Sequence, residues 1–315
     1  MRRRTNDPKD FGRVAVLMGG WSAEREVSLW SGQGVSAALK SRGVDVTAVD
    51  VDRRRVLGLR EEGYDRVFIA LHGGGGEDGT VQAALELQGI PYTGSGVLAS
   101  ALAMDKLRSK LVWKAAGLPT PDWRVIGSET EALAAGADLG YPYFVKPAAE
   151  GSSVGVSKVK RAEDAPAAFR LARGTDPIPR PVLAERAVAG GEYTCAILDG
   201  QALPLIRIEP AAEFYDYQAK YLSEATRYVC PAGLVPTHEA ELQGLCLRAC
   251  ALLGCRGWAR ADFMLDAQGR PWLIEVNTAP GMTTHSLVPM AARAAGMDYA
   301  ALCWAILETT LDEAA

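Results

Sequence analysis

Two apolar runs near the carboxyl end, GWARADFML (257–265) and PWLIEVN (271–277), carry polar side chains that neither run can bury alone. Each has the length of a strand, and the DAQG between them suits a hairpin turn. Side chains alternate faces along a strand, so Arg260 shares a face with Asp262, and Glu275 with Asn277. An unpaired buried charge is strongly unfavourable, so the fold must bring these groups together. If the strands pair, Asp262, Glu275 and Asn277 converge as hard oxygen ligands of the kind Mg²⁺ takes alongside water and phosphate oxygens. Arg260 cannot bind a cation and would serve an anion beside the metal. The competing reading is a structural hairpin with a self-satisfied Arg–Asp–Glu network.

The 315 residues suffice for two or three domains with a sizeable core. A net charge of −4 argues against nucleic acid or an anionic membrane as main partner. The basic start MRRRTNDPKDF leads into no long apolar run, so neither a signal peptide nor a transmembrane span is expected. The six cysteines form no CxxC pair and have no histidine nearby. They read as buried free thiols in a reducing cytoplasm, not as a metal site.

Towards the amino end, RVAVLMGG (13–20) reads as a strand ending in a glycine turn. The segment after it has apolar Val27, Trp30, Val35, Ala38 and Leu39 at roughly helical spacing. VTAVDVD and DRVFIALHG are further strands, and VQAALELQG a further helix. This alternation predicts a parallel sheet with ligand loops at the carboxyl ends of its strands. The first loop, GGWSAEREVS, lacks the GxGxxG of dinucleotide sites. Its Glu24 either caps the helix or holds a ligand's ammonium group. The second loop, LHGGGGEDGTVQ, contains four consecutive glycines, which suit a sharp turn or close approach to a ligand. There His72, Glu77 and Asp78 either face a ligand or solvate the loop.

GSGVLASALAMDK reads as a junction and then one helix, which carries Lys106 and runs on to Gly117. YPYFVKPAAEGSSVGVSKV gives a strand ending in Lys146-Pro147, a glycine- and serine-rich tip and a second strand. This is either a flap whose backbone N–H groups cradle phosphates beside Lys146, or a plain mobile hairpin. Glu185 closes the next strand and Glu192 opens the one after it, and PLIRIEP adds another. The aromatic stretch 211–233, with Lys220 and Tyr221 at its middle, has the length of a lid loop. Two final helices, in THEAELQGLCLRACALLGC and VPMAARAAGMDYAALCWAILETTL, complete the last domain.

Seven segments occur in family order and spacing: GGWSAEREVSLWSG, FIALHGGGGEDGTVQ, PYTGSGVLASALAMDKLRSK, VKPAAEGSSVG, FYDYQAKYLS, GWARADFML and IEVNTAPGMTTHSLVP. Over nearly its whole length the chain thereby resembles the D-alanine–D-alanine ligases of the ATP-grasp superfamily. The resemblance implies an α/β fold, α+β in part, of the ATP-grasp type with three domains. A Rossmann-like pre-ATP-grasp domain would cover residues 1–103. The central subdomain with the phosphate flap would cover 104–189, and the C-terminal subdomain with the metal site and lid 190–315. The implied chemistry is phosphorylation of one D-alanine by ATP, followed by attack of a second D-alanine's amino group on the acyl phosphate.

The same resemblance implies roles for individual residues. Asp262, Glu275 and Asn277 would hold two Mg²⁺ ions, with Mn²⁺ as the substitute. Lys106, Lys146 and Lys220 would contact the phosphates, beneath flap residues Ser152 and Ser153. Glu185, Ala187, Val188, Glu192 and Phe214 would surround adenine and ribose. Glu24, linked to Ser152 and Tyr221, would hold the first D-alanine's ammonium near His72. Arg260 and the Gly281 N–H would form an oxyanion hole, and Ser286 would receive the second substrate's carboxylate. Tyr221 goes with D-alanine as acceptor, because relatives that make D-alanyl-D-lactate carry another residue there. The implied partners are two D-alanines and ATP, with neither nucleic acid nor membrane. The implied setting is a homodimer in the bacterial cytoplasm whose product feeds peptidoglycan precursor synthesis. Departures from the family pattern are Gly74, Arg186, Ala187, Gln218 and Ala279, of which Arg186 and Ala187 bear on the shape of the adenine pocket.

Overall fold

The computed structural model describes residues 4–152, 154–175, 180–209 and 226–311. Ser153, Phe214, Gln218, Lys220 and Tyr221 lie outside the described residues.

The amino-terminal sheet has the order β2–β1–β3, from β1 (Arg13–Gly19), β2 (Asp45–Val51) and β3 (Arg66–Ile69), with both pairings parallel. The central strand β1 is buried almost throughout, which is why it reads as a continuous apolar run. On it lies α1 (Arg25–Ser41), which buries Val27, Val35, Ala38 and Leu39 as the spacing predicts. Trp30 departs from that expectation and is 48% exposed. The stripe is completed instead by Ser28, Ser31 and Gly32, and a Cβ on Gly32 would overlap the Met18 side chain. Small residues thus let the helix rest directly on β1. Ser28 Oγ accepts from the Gly19 N–H at 2.9 Å and donates to the Ala70 carbonyl at 2.8 Å. These bonds fix the carboxyl ends of β1 and β3, where the two loops of interest leave the sheet.

After α2 (Thr80–Leu87), the single helix expected through Lys106 is two helices, α3 (Val97–Met104) and α4 (Lys106–Ala115). Asp105 leaves helical geometry between them and caps the second by accepting from the Arg108 N–H at 3.0 Å. The break puts Lys106 at the first position of α4, buried and facing inward.

The second sheet is antiparallel, in the order β4–β7–β5–β6, from β4 (Trp123–Ile126), β5 (Tyr143–Pro147), β6 (Ser157–Val159) and β7 (Val182–Arg186). It shares a core with α5 (Glu129–Leu139) and α6 (Ala165–Arg173). The third sheet runs β11–β10–β8–β12–β13, with β9 (Gln201–Ala202) also paired to β8 (Gly190–Leu198). Its other strands are β10 (Ile206–Glu209), β11 (Arg227–Val229), β12 (Trp258–Asp266) and β13 (Pro271–Asn277). Fully buried Trp113 of α4 donates to the Ala249 carbonyl of α7 (Pro236–Leu252) at 3.1 Å, fastening α4 to the layer behind this sheet.

The last helical stretch is also broken, into α8 (Leu287–Ala294) and α9 (Tyr299–Glu308). Gly296 turns the chain at φ +81°, and the Asp298 side chain caps α9 by accepting from the Ala301 N–H. These helices serve more than the last domain. Leu302, Trp304 and Ile306 share a core with Phe11, Val35 and Leu39, and the Phe11 and Trp304 rings meet edge-on at 4.8 Å. All six cysteines are free, four of them buried and Cys230 and Cys255 half-buried. Among the described residues no helix is long and apolar enough to cross a membrane.

Candidate active site

Strands β12 and β13 pair antiparallel, with Asp262 opposite Glu275 and Arg260 opposite Asn277. A bulge follows Asp262, so that Phe263 pairs with Leu273 and Ile274 is skipped. Strict alternation would set Leu273 on the same face as Glu275. The bulge returns Leu273 to the core with Phe263 and leaves both Ile274 and Glu275 facing the cleft.

The Asp262 carboxylate accepts from four donors. Oδ1 takes Thr194 Oγ1 at 2.6 Å and Arg260 Nε at 2.9 Å, and Oδ2 takes Arg260 Nη2 at 2.7 Å and Asn277 Nδ2 at 3.1 Å. Its lone pairs are saturated. Glu275 pairs with the Lys106 ammonium at 3.0 Å, and that ammonium also donates to the Glu150 carbonyl at the base of the flap at 2.8 Å. Burial works against the Lys106 charge, but Glu275 outweighs it and raises the lysine's pKa.

A second ionic cluster joins α4 to β5 and β7. Glu185, 3% exposed, lies between Lys146 Nζ at 2.6 Å and Lys110 Nζ at 2.5 Å. Lys110 also donates to Thr120 Oγ1 at 2.6 Å, and the Thr120 hydroxyl donates to the Leu273 carbonyl of β13 at 2.8 Å. Burial pushes the Glu185 carboxyl up, but the two lysines outweigh it and hold its pKa below the ordinary value. For Lys110 burial wins against Glu185, and its pKa falls to about 8.

At the amino-terminal end His72 is buried with both ring nitrogens engaged. Nδ1 lies 2.9 Å from the Ala279 carbonyl, which can only accept, so Nδ1 carries a proton. Nε2 lies 2.9 Å from Ser31 Oγ, whose oxygen in turn accepts from the Met282 N–H at 3.2 Å. Burial lowers the His72 pKa against the pull of Glu24 and favours the neutral ring. His72 therefore braces the loop after β13 instead of solvating its own. Tyr299 Oη donates to the Met282 carbonyl at 2.5 Å, and Ser286 Oγ accepts from the Thr283 N–H at 2.9 Å. The loop carrying Gly281 is thus held by α1, α9 and the glycine loop after β3.

Glu24 stands at the N-cap of α1 but makes no side-chain cap bond, so capping does not explain it. A Cβ on Gly73 would lie 2.9 Å from its Oε1 and one on Gly151 only 2.5 Å, so the glycine loop and the flap tip both close on this carboxylate. Glu77 is buried and accepts from the Gly73 N–H at 3.3 Å. Burial, then the nearby Glu24, push its pKa well above the ordinary value. Asp78 instead folds its own loop, accepting from the Gly75 and Thr80 N–H groups at 2.8 and 2.9 Å. At the flap tip Ser152 adopts a left-handed φ of +50°.

One cleft of about 830 Å³ collects these groups. Of the sequence-derived site residues within the described residues, Glu24, His72, Lys106, Lys146 and Ser152 line it. Glu185, Ala187, Val188 and Glu192 line it as well. So do Arg260, Asp262, Glu275, Asn277, Gly281 and Ser286. Phe144, Val156, Met264 and Ile274 add apolar walls. Those four and Lys110 carry no signal in the sequence, because apolar strand residues and helix lysines are commonplace. Glu77 shows itself only as an acid in a glycine loop.

Two sheets closing over a cleft that offers lysines, facing acids and an apolar slot define an ATP-grasp ligase fold. The chain belongs to the D-alanine–D-alanine ligase family. The family descriptions D-ala D-ala ligase N-terminus and D-ala D-ala ligase C-terminus match residues 57–95 and 112–308. The D-alanine–D-alanine ligase of Laribacter hongkongensis is 59% identical, over 95% of this chain and 96% of its own. That of an Azoarcus species is 58% identical, over 94% and 97%. The crystal structure of the Bacillus anthracis D-alanine–D-alanine ligase complexed with ATP superposes with a TM-score of 0.80 at 36% identity, covering 95% of this chain and 96% of that one. The VanG D-Ala:D-Ser ligase of Enterococcus faecalis gives 0.80 at 30% identity, covering 93% and 98%.

Proposed function

We propose that this chain uses ATP to join two molecules of D-alanine into D-alanyl-D-alanine through a D-alanyl phosphate, a reaction that supplies peptidoglycan precursors. The observation that carries the reading is the pairing of charges in the cleft. Lys106, Lys146 and Arg260, three cations of the cleft, are each held by one of its carboxylates, Glu275, Glu185 and Asp262, and burial pushes the Glu77 carboxyl up. A triphosphate brings roughly four negative charges, which such a site accommodates best together with about two divalent ions.

Asp262, Glu275 and Asn277 present hard oxygens on one sheet face, a donor set that fits Mg²⁺ or Mn²⁺. When bound, the ions neutralise phosphate charge. Arg260 and Lys106, paired with the same carboxylates in this structure, then turn toward the nucleotide, and Lys146 and Lys220 meet its phosphates. Adenine takes the apolar slot between Phe144 and Met264, near Ala187 and Val188, with Glu185 and Glu192 at the base and ribose.

Glu24 holds the ammonium of the first D-alanine. That substrate's carboxylate oxygen attacks the γ-phosphorus and ADP leaves. Ser286 receives the second substrate's carboxylate, and its amine attacks the acyl carbon. Arg260 and the Gly281 N–H favour the negative oxygen that develops there, which is where stabilisation speeds the step. The bond from the acyl carbon to the bridging oxygen then breaks, and phosphate departs with that oxygen and takes up the proton that the nitrogen sheds.

In this reading residues 1–103 bring the first substrate subsite, 104–189 the flap, and 190–315 the metal face, the lid and the second subsite. The working form is a cytoplasmic homodimer. The test is phosphate release from ATP and Mg²⁺ with D-alanine alone, then with D-serine or D-lactate added, with products separated by mass. D-alanyl-D-alanine from D-alanine alone supports the reading. Preference for a mixed product would overturn the acceptor, and no release with D-alanine would overturn the activity.

A further inference from the structure

We propose that Lys110 is the counter-ion that holds Glu185 in place when Lys146 turns to the nucleotide, which makes it a positioning residue for ATP binding. The inference rests on the nucleotide reading of the cleft given above. Lys146 and Glu185 line the cleft, whereas Lys110 lies outside its lining with a side chain of zero exposure, on the hidden side of Glu185. It cannot touch a nucleotide and can act only through the carboxylate.

In this structure one buried carboxylate serves two ammonium groups. A triphosphate draws the charge of Lys146 toward the cleft, and Glu185 would then be a buried anion with a weakened partner. Lys110 remains, fixed by Thr120 Oγ1 at 2.6 Å and tied through it to the Leu273 carbonyl of β13. It therefore keeps the charge and the position of Glu185 constant through the nucleotide cycle. It also couples the second sheet to the third along the floor of the cleft.

The charged groups that face Lys110 are Glu185 from β7, Lys146 from β5 and Asp122 beyond the end of α4. Lys114, from its own helix, shares the Trp123 ring with it. Burial brings the Lys110 pKa to about 8, against the pull of Glu185 and Asp122 and helped by Lys146. Above that pH Lys110 loses its proton, Glu185 keeps only Lys146, and the nucleotide must compete for it. Conversely, a nucleotide that draws Lys146 away removes a like charge from beside Lys110, so binding near pH 8 takes up protons.

The experiment is calorimetric titration of the full chain with MgADP, without D-alanine, from pH 7 to 9.5 in two buffers of different ionisation enthalpy. The expected result is proton uptake peaking near pH 8 and affinity that falls about tenfold by pH 9.5. Lys110→Met should weaken MgADP about tenfold at pH 7 and abolish the proton uptake. In a Glu185→Gln background the same substitution should cost less than threefold, because no buried anion is left to partner. A merely structural lysine would cost the same in both backgrounds. Equal costs, or a wild-type affinity flat across the pH range, would overturn the proposal. If the single variant does not fold, the wild-type pH series and the double variant still decide. Failure of the wild-type chain to bind MgADP at any pH would overturn the nucleotide reading itself.

Discussion

Replacing Gly151 by alanine should damage recognition of the first D-alanine while leaving the fold intact. The added Cβ would stand 2.5 Å from Glu24 Oε1, against ordinary contact from 3.4 Å outward, so the carboxylate must retreat by about 1 Å. The nearest backbone atom, Gly73 Cα, is 4.0 Å away, and Gly151 does not occupy the left-handed region, so the main chain has no reason to move. Alanine also loses less conformational entropy on folding than glycine, by about 0.5–1 kcal/mol. A charge-assisted hydrogen bond to the substrate ammonium is worth about 1.5–3 kcal/mol, which corresponds to roughly a 10–150-fold change. Steady-state kinetics at saturating ATP should therefore show the first-site KM for D-alanine rising by at least about tenfold, with the melting temperature unchanged or slightly higher. A folded variant with unaltered D-alanine kinetics would refute the placement of Glu24 at the substrate ammonium.

Glu275→Gln removes a charge from the proposed metal face and frees Lys106, so the Mg²⁺ concentration for half-maximal activity should rise about tenfold or more in a metal titration. Glu77 holds its proton in the folded state above the value near 4.5 at which the unfolded chain gives it up, so its contribution to stability is lost as pH rises through the raised value. Melting curves should accordingly show Glu77→Gln gaining on the wild type between pH 5 and pH 8. Trp113→Ala empties a fully buried site and removes the indole donor to the Ala249 carbonyl, and should lower the midpoint of urea unfolding by an amount equivalent to about 3–5 kcal/mol.

Much of the site was legible because strand periodicity is strict. Alternation alone put Arg260 with Asp262 and Glu275 with Asn277, and the register of β12 on β13 joins the pairs. The bulge that turns Ile274 to the cleft depends on packing Leu273 against Phe263, which no local pattern carries. Helix breaks were harder to see. Asp105 ends one helix and caps the next, whereas Gly296 turns the chain after the helix that stops at Ala294 and Asp298 caps the one that follows. Trp30 matched the helical spacing, yet small Ser31 and Gly32 won the buried face because β1 lies too close for an indole. Lys110 was invisible for a similar reason. A lysine on a helix reads as solvated, and only the approach of Glu185 from another sheet explains its burial. His72 showed its residue type in a suggestive loop, but its partners Ser31 and Ala279 lie far from it in sequence.

The most direct test of the account is the fate of the first substrate's carboxylate oxygen. With D-alanine labelled with heavy oxygen at both carboxylate positions, one label per turnover should appear in inorganic phosphate and one should remain in the amide carbonyl of the dipeptide. Phosphate released without label, alongside dipeptide formation, would contradict activation of the carboxylate by phosphoryl transfer in this cleft.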